Sequence, residues 1–294
     1  TELSYSIPNL DTTAEYVLMV VGYHESSGEW KQIVEIDGKW KHLYERQHGK
    51  THTQLALDIA NLGACYALSG EVKYAEFAKK LLLGYADVYD KYAPGNRPGF
   101  THDVGKCFDQ RLGDSIWLIQ VARGYDLIYN LPSLTDEERR HIEKDLLIAA
   151  ADFIKGNSSH LKSPTNWSAI GTAAVLIVGY ATGDQQLIDA AMYGVGGTAE
   201  SPKGGVMLHF SERCIDSDGM WAEGAMGYQF MALQALITDA EILWRHGIDM
   251  YRHRDGALKR LFDSPLAFCY PNLKTPAIHD SGSTSILGRE SYLY

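Results

Sequence analysis

The sequence predicts an all-α fold of helical hairpins, arranged as an incomplete or closed (α/α) toroid. Three observations carry this reading. Apolar residues recur at steps of three and four over most of the chain, the spacing of one helix face; residues 52–69, for instance, put Leu55, Ile59, Leu62 and Tyr66 on one stripe. Gly and Pro interrupt these stretches where a helix must stop, as at Gly70, Pro132 and Gly183. Finally, a long apolar helix, a short turn and a more polar helix recur four times, with first helices beginning near residues 53, 114, 168 and 226. Such a period marks stacked hairpins. Apolar inner helices ringed by polar outer ones close into a toroid; an open solenoid is the rival arrangement.

The elements follow in order. Residues 1–50 read as an N-terminal extension packed on a toroid that spans 51–294. Within that extension Trp30, Ile33 and Ile36 alternate weakly and Gly38 suits a turn, so a small β-hairpin is expected over residues 30–43. Helices are expected at 52–69, 71–92 and 111–130. Thr135, with Glu138 three residues on, forms a capping-box pattern and opens a helix to about residue 155. A helix over 166–181 halts at Gly183, and a short one follows over 184–194. Residues 194–205 (GVGGTAESPKGG) are expected to be a flexible loop between hairpins. A long helix over 223–247 ends at Gly247, and a last one spans 253–263.

Composition narrows the function classes. With 45% apolar and 22% charged residues the chain can bury a sizeable core, which excludes wholesale disorder. Lys and Arg total 27 against 37 Asp and Glu, a net charge of −10, which argues against a nucleic-acid partner. The longest apolar run, residues 173–181, falls short of the roughly 20 residues needed to cross a membrane, so no membrane partner is expected. None of the four cysteines forms a C-x-x-C pair, so zinc-knuckle and redox readings lack support. Cys65 and Cys269 lie in apolar runs and are expected in the core. The chain starts without Met or a hydrophobic leader, and residues 283–294 read like a helix beginning. Part of a longer protein is therefore expected. The 18 Tyr and six Trp suggest polar-tipped rings lining a sugar groove; the plainer alternative is that Tyr fills helix seams.

Three segments could carry chemistry: FTHDVGKCFDQR at 100–111, SPTNWS at 163–168 and DSDGMWAEGAMGY at 216–228. Each precedes or opens an apolar inner helix, and in a toroid such ends converge on one rim. Lys106, Gln110, Arg111, Asn166, Trp167, Trp221, Glu223 and Tyr228 are thus expected around one ligand. Each has a plainer reading. Asn166 suits a helix N-cap as well as an amide donor to an anion. Trp167 suits the core as well as a stacking platform. Glu223 is favoured near a helix N-terminus by the dipole alone. Lys106 and Arg111 are surface charges or an anion site, and His102 and His209 are loop or satisfied histidines. The basic run 44–52, with His48, is a solvated loop or a cleft border. Tyr228 is buried packing or functional; Gly224 and Gly227 beside it would leave room for a ligand. There is no H-E-x-x-H, G-x-S-x-G or Walker pattern.

Together the run D-G-M-W-x-E-G-x-x-x-Y at 218–228, the pair Asn166-Trp167 and the segment F-D-Q-R-L-x-D-x-I-W-L-I at 108–119 resemble the heparinase II/III and alginate lyase superfamily of polysaccharide lyases, over roughly residues 50–294. The helical-hairpin repeat agrees with that family's N-terminal α/α toroid. The resemblance implies β-elimination of a uronic acid-containing glycan. Alginate or a similar unsulfated polyuronate is favoured, because no basic stripe is present for a highly sulfated chain. It implies that Asn166 hydrogen-bonds the substrate carboxylate. Tyr228 would serve as the acid, and as the base too when proton and leaving group share a face. Lys106 and Arg111 would help to lower its pKa from about 10. His48, His102, Lys106, Gln110, Arg111, Trp167, Trp221 and Glu223 would contact substrate. Many members carry His directly after the Asn; here Trp167 stands there, so a carboxylate neutraliser or base is missing from that position. The resemblance also implies a C-terminal β-sheet domain of the same protein, which supplies further catalytic residues and in some members a metal. No cofactor is expected within this segment. A secreted or periplasmic location is implied. Two other readings stay open: an α/α-toroid glycoside hydrolase pairing carboxylates from Asp216, Asp218 and Glu223 at about 5–9.5 Å, and a non-catalytic glycan-binding helical module.

Overall fold

A computed structural model describes residues 22–24, 30–32, 48–95, 103–156, 161–279, 281–283 and 285–286, with side chains described from His52 onward. The described residues are mainly helical, as the all-α class predicts. The chain forms two compact units, Thr1–Asp152 and Phe153–Tyr294.

In the first unit, β1 (Gly22–His24) pairs antiparallel with β2 (Trp30–Gln32), Tyr23 lying opposite Lys31. The hairpin expected over 30–43 is corrected by this pairing: Trp30 finds its partner upstream, not beyond Gly38. Residues 33–47 lie outside the described residues. Helix α1 (His48–Ser69) ends at Gly70, whose φ of +72° is the left-handed stop that only glycine adopts without strain. Helix α2 (Val72–Ala86) packs against α1 and gives way to a 3₁₀ turn at Tyr89–Lys91, so it is shorter than the periodicity suggested.

Helix α3 (Arg111–Ile128) lies against α1 at very close range. A Cβ on Gly124 would stand 2.6 Å from the Ile59 carbonyl oxygen, and one on Gly63 would stand 2.9 Å from Leu127 Cβ. The two helix backbones can approach this closely only because both glycines lack side chains. Helix α4 (Asp136–Ile142) opens with the expected capping box: Thr135 Oγ1 accepts from Glu138 N at 3.2 Å, and the Glu138 carboxylate accepts from Thr135 N at 2.8 Å. A π-helical turn at Glu143–Ile148 separates α4 from α5 (Ala149–Lys155).

The second unit contains α6 (Asn166–Thr182), α7 (Gln185–Tyr193), α8 (Gly205–His209), α9 (Met226–Arg245) and α10 (Ala257–Phe268). Helix α6 is buried at almost every position through Gly179, as expected for an inner helix, and packs on α7 and α9. Its N-cap is Thr165, which accepts from Ser168 N at 3.3 Å; Asn166 is the first helical residue and not the cap. Asp184 caps α7 through Gln186 N and Leu187 N.

The glycine-rich stretch 194–205, expected to be flexible, is pinned by Lys203 N to Tyr193 O and Gly205 N to Leu161 O, each 2.7 Å. Helix α10 starts later than the sequence suggested, after three successive positive-φ residues (Arg254, Asp255 and Gly256), and runs past the buried Pro265. The described cysteines are all free. Cys107 and Cys214 are buried, whereas Cys65 and Cys269 are partly exposed, which reverses the core assignment of the latter pair.

Candidate active site

Five predicted site residues lie in the second unit, at or just ahead of the N-termini of α6 and α9. A helix N-terminus leaves backbone N–H groups without intrahelical partners. At α6, Asn166 N donates to Glu223 Oε2 at 2.5 Å. The Asn166 side-chain amide donates to the same carboxylate, with Nδ2 at 3.1 and 2.9 Å from its two oxygens. Trp221 Nε1 donates to Glu223 Oε2 at 2.8 Å. Two carboxylate oxygens subtend a far smaller angle at nitrogen than the spread between the two N–H bonds of an amide. One amide hydrogen therefore serves both oxygens, and the second is directed elsewhere. Asn166 Oδ1 is buried and has no hydrogen-bond partner. Asn166 and Trp221 are each 1% exposed. The Glu223 carboxylate, expected to contact substrate, is thus turned inward to hold Asn166, and Trp221 offers no open face for stacking. Trp167 is half-buried.

The loop that carries Trp221 and Glu223 is anchored from α9 and α10. Gln229 Oε1 accepts from Trp221 N at 3.2 Å, while Gln229 Nε2 donates to Leu261 O at 3.0 Å and Ser264 Oγ at 2.5 Å. Asp216 closes the turn by accepting from Asp218 N and Met220 N at 2.9 and 2.8 Å. His209, fully buried, shares a 3.0 Å hydrogen bond with Ser168 Oγ. Burial pulls its pKa down to about 4, so the imidazole is neutral near pH 7; it is a core histidine with Nε2 bonded and the buried Nδ1 without a hydrogen-bond partner.

Tyr228 is the third residue of α9 and is half-buried. Ala225 at the N-cap has no side-chain oxygen to offer, and Ser281 Oγ accepts from Gly227 N at 3.0 Å in its place. The space expected beside Gly224 and Gly227 is occupied. A Cβ on Gly224, whose φ is +69°, would lie 2.8 Å from His279 Nε2, and one on Gly227 would lie 3.1 Å from Ser281 Oγ. His279 was not singled out from the sequence; a lone histidine in a polar segment carries no pattern. Contact with Gly224 across 55 residues is visible only in the fold.

The first unit holds Lys106, Gln110 and Arg111. The Asp114 carboxylate accepts from Lys106 N and Cys107 N, each at 2.8 Å, and wraps the preceding loop onto the start of α3. Burial raises its pKa to about 7. Arg111 is locked onto Asp103: the Arg111 N–H and guanidinium donate to the two carboxylate oxygens at 2.8 and 2.7 Å. Lys106 is half-buried with Nζ 4.7 Å from the centroid of the Tyr89 ring, and desolvation lowers its pKa. Gln110 precedes α3 in extended backbone, with a buried Oε1 that lacks a partner. The His48 side chain and all of His102 lie outside the described residues.

A sequence model of the alginate lyase family matches residues 9–275. The chain belongs to the alginate lyase family. It is 29% identical over 242 residues to an alginate lyase of Stenotrophomonas maltophilia, and 29% identical over 253 residues to an exo-oligoalginate lyase of Saccharophagus degradans. These matches cover 80% and 81% of this chain but 32% of each relative, so the chain spans about a third of their length. Among the described residues of this alginate lyase family member, no group of three or more His, Cys, Asp and Glu side chains is gathered as a metal site requires, and no helix is long and apolar enough to cross a membrane.

Proposed function

We propose that this chain is the helical part of a polysaccharide lyase that cleaves a uronic acid-containing glycan, alginate or a similar unsulfated polyuronate, by β-elimination. The observation that carries the reading is the Asn166 amide, fixed by Glu223 at the start of α6. The C5 proton of a uronate is weakly acidic, so its removal requires that charge building on the adjacent carboxylate be stabilised by preorganised donors. Asn166, although only 1% exposed, keeps one amide hydrogen that Glu223 leaves uncommitted, and on this reading the substrate carboxylate takes it. Tyr228, in the first turn of α9, is the acid that protonates the departing O4. In the first unit, considered by itself, Lys106 is half-buried, with Nζ over the Tyr89 ring and 3.5 Å from Tyr89 O. Arg111 is already compensated by Asp103. The names of both relatives agree with an alginate-type substrate. A secreted or periplasmic location and a C-terminal β-sheet domain belong to the same reading.

The hydrolase alternative needs two available carboxylates and is disfavoured because Asp216 is engaged in its own turn and Glu223 with Asn166 and Trp221, which leaves the exposed Asp218 without a second. The test is a product profile of the full-length protein on a panel of uronans. A lyase yields an unsaturated uronate with far-UV absorbance and adds no water. A new reducing end without that chromophore refutes the lyase reading, and no product at all leaves a binding module. Tyr228→Phe should abolish elimination; unchanged turnover would sink its assigned role.

A further inference from the structure

Elimination needs a group to take the C5 proton as well as one to protonate O4. The position after Asn166, where a histidine would serve, holds Trp167. His209 is fully buried, with its Nε2 already engaged by Ser168 Oγ. On the described face around the start of α9, one exposed imidazole remains, that of His279. It belongs to a segment closed on itself by the Lys274–Ser285 bridge and by Ile286 N donating to Leu273 O at 2.9 Å. Ser281 N donates to Ile278 O at 3.2 Å, which turns the chain at His279. Ser281 Oγ then docks this turn onto Gly227 N, next to Tyr228.

Two backbone facts bear on the position, the first shared with Arg254, Asp255 and Leu273 and the second its own. His279 has φ +54°, a left-handed conformation that costs a non-glycine residue free energy and that gathers at functional sites. Gly224 has no side chain where the His279 ring lies, and any Cβ there would meet Nε2 at 2.8 Å. The fold thus accepts strain at one residue and omits a side chain at another to bring this ring against Gly224, two residues ahead of α9.

We propose that His279 is a catalytic residue, the base that removes the C5 proton while Tyr228 protonates O4. This rests on the lyase reading above. A nitrogen of neutral His279 takes the C5 proton and becomes imidazolium. The C5–H electron pair forms the C4=C5 double bond. The C4–O4 bond breaks with its pair on O4, which takes the phenolic proton of Tyr228. Proton return from imidazolium to tyrosinate restores both groups, so no water is consumed.

Two variants of the full-length protein keep the turn intact, because Gly and Asn both tolerate left-handed backbone. His279→Gly and His279→Asn should lower kcat by about a hundredfold or more, with KM within about threefold and an unchanged thermal midpoint. Added imidazole should restore part of the kcat of His279→Gly, which a merely structural role would not allow. Wild-type kcat in either variant overturns the proposal, as does a loss in His279→Gly that imidazole leaves untouched. If Tyr228→Phe is inactive while His279→Gly is fully active, the base assignment alone fails; if both are fully active, the lyase site itself is misplaced.

Discussion

Replacing Glu223 by Ala should destabilise the protein severely although the side chain is only half-buried. The carboxylate accepts from Asn166 N, Asn166 Nδ2 and Trp221 Nε1. Both donor residues are 1% exposed, so water reaches their polar atoms only through the space that the lost side chain vacates. A buried donor left without a partner costs about 1–3 kcal/mol. Three such donors, partly relieved by entering water, give a loss of about 3–5 kcal/mol. That is a large share of the roughly 5–15 kcal/mol that holds a domain folded. Glu223→Gln should cost less, about 1–3 kcal/mol, because one oxygen still accepts while the new NH₂ faces donors. The measurement is urea unfolding followed by tryptophan fluorescence, for which Trp221 sits at the affected point. If Glu223→Ala unfolds within about 0.5 kcal/mol of wild type, well inside the ordinary range for surface substitutions, the carboxylate does not hold the start of α6.

Three further outcomes are expected. Gly124→Ala should drive its methyl against the Ile59 backbone and separate α1 from α3, lowering stability by about 2–4 kcal/mol; a thermal midpoint equal to wild type would contradict the close approach. Asp58 is buried, and desolvation raises its pKa from 3.8 to about 6. The folded state therefore binds the proton more tightly than the unfolded state, and stability falls as pH rises between about 4 and 6, by up to about 3 kcal/mol. Asp58→Asn keeps a partner for Gln54 and should remove that slope; parallel unfolding curves for the two proteins across pH 4–7 would refute it. His141 is held between Asp145 and Asp87, which raise its pKa. Its contribution is thus present at acid pH and lost as pH rises through the raised value. His141→Ala should cost more stability at pH 5 than at pH 8, by under about 1 kcal/mol at this partly exposed position; equal cost at both would show that the charge is irrelevant.

What the sequence disclosed follows from the range over which each signal acts. Helix faces and local caps are written within a few residues, and α1, α3, α6 and α7 with the Thr135–Glu138 and Asp184 caps stand close to where the pattern puts them. The π-helical turn at Glu143–Ile148 has no composition of its own and reads as ordinary helix. The extension of α10 beyond Pro265 was hidden by the proline, which breaks helices in isolation; here Leu261, Ser264 and Pro265 are buried together and packing carries the helix on. At the site, the types and order of Asn166, Trp221, Glu223 and Tyr228 were readable, but their directions were not. Glu223 points inward because its donors lie 57 residues upstream on Asn166 and two residues back on Trp221. Ser281 meets Gly227 across 54 residues.

Those long-range contacts share one logic. Neither α6 nor α9 relies on local sequence alone to satisfy its first N–H groups. Glu223 serves Asn166 N at α6, and Ser281 serves Gly227 N at α9. A local cap fixes only its own turn, whereas a cap from a distant segment also fixes the segment that provides it. Glu223 thereby sets the amide of Asn166, and Ser281 brings the His279 turn to Gly227. On the proposed reading, a chain with net charge −10 has to hold a polyanion. At physiological salt a charge is felt over only about 8 Å, so the overall sign matters less than the donors within reach. Fixed amides and helix N-termini supply partial positive charge without a basic surface. On that reading, the hydrogen bonds that hold the start of α6 also aim the Asn166 amide, so loss of Glu223 would weaken α6 and misplace that amide together. If the proposed site is right, stability and activity fall together when this single carboxylate is lost.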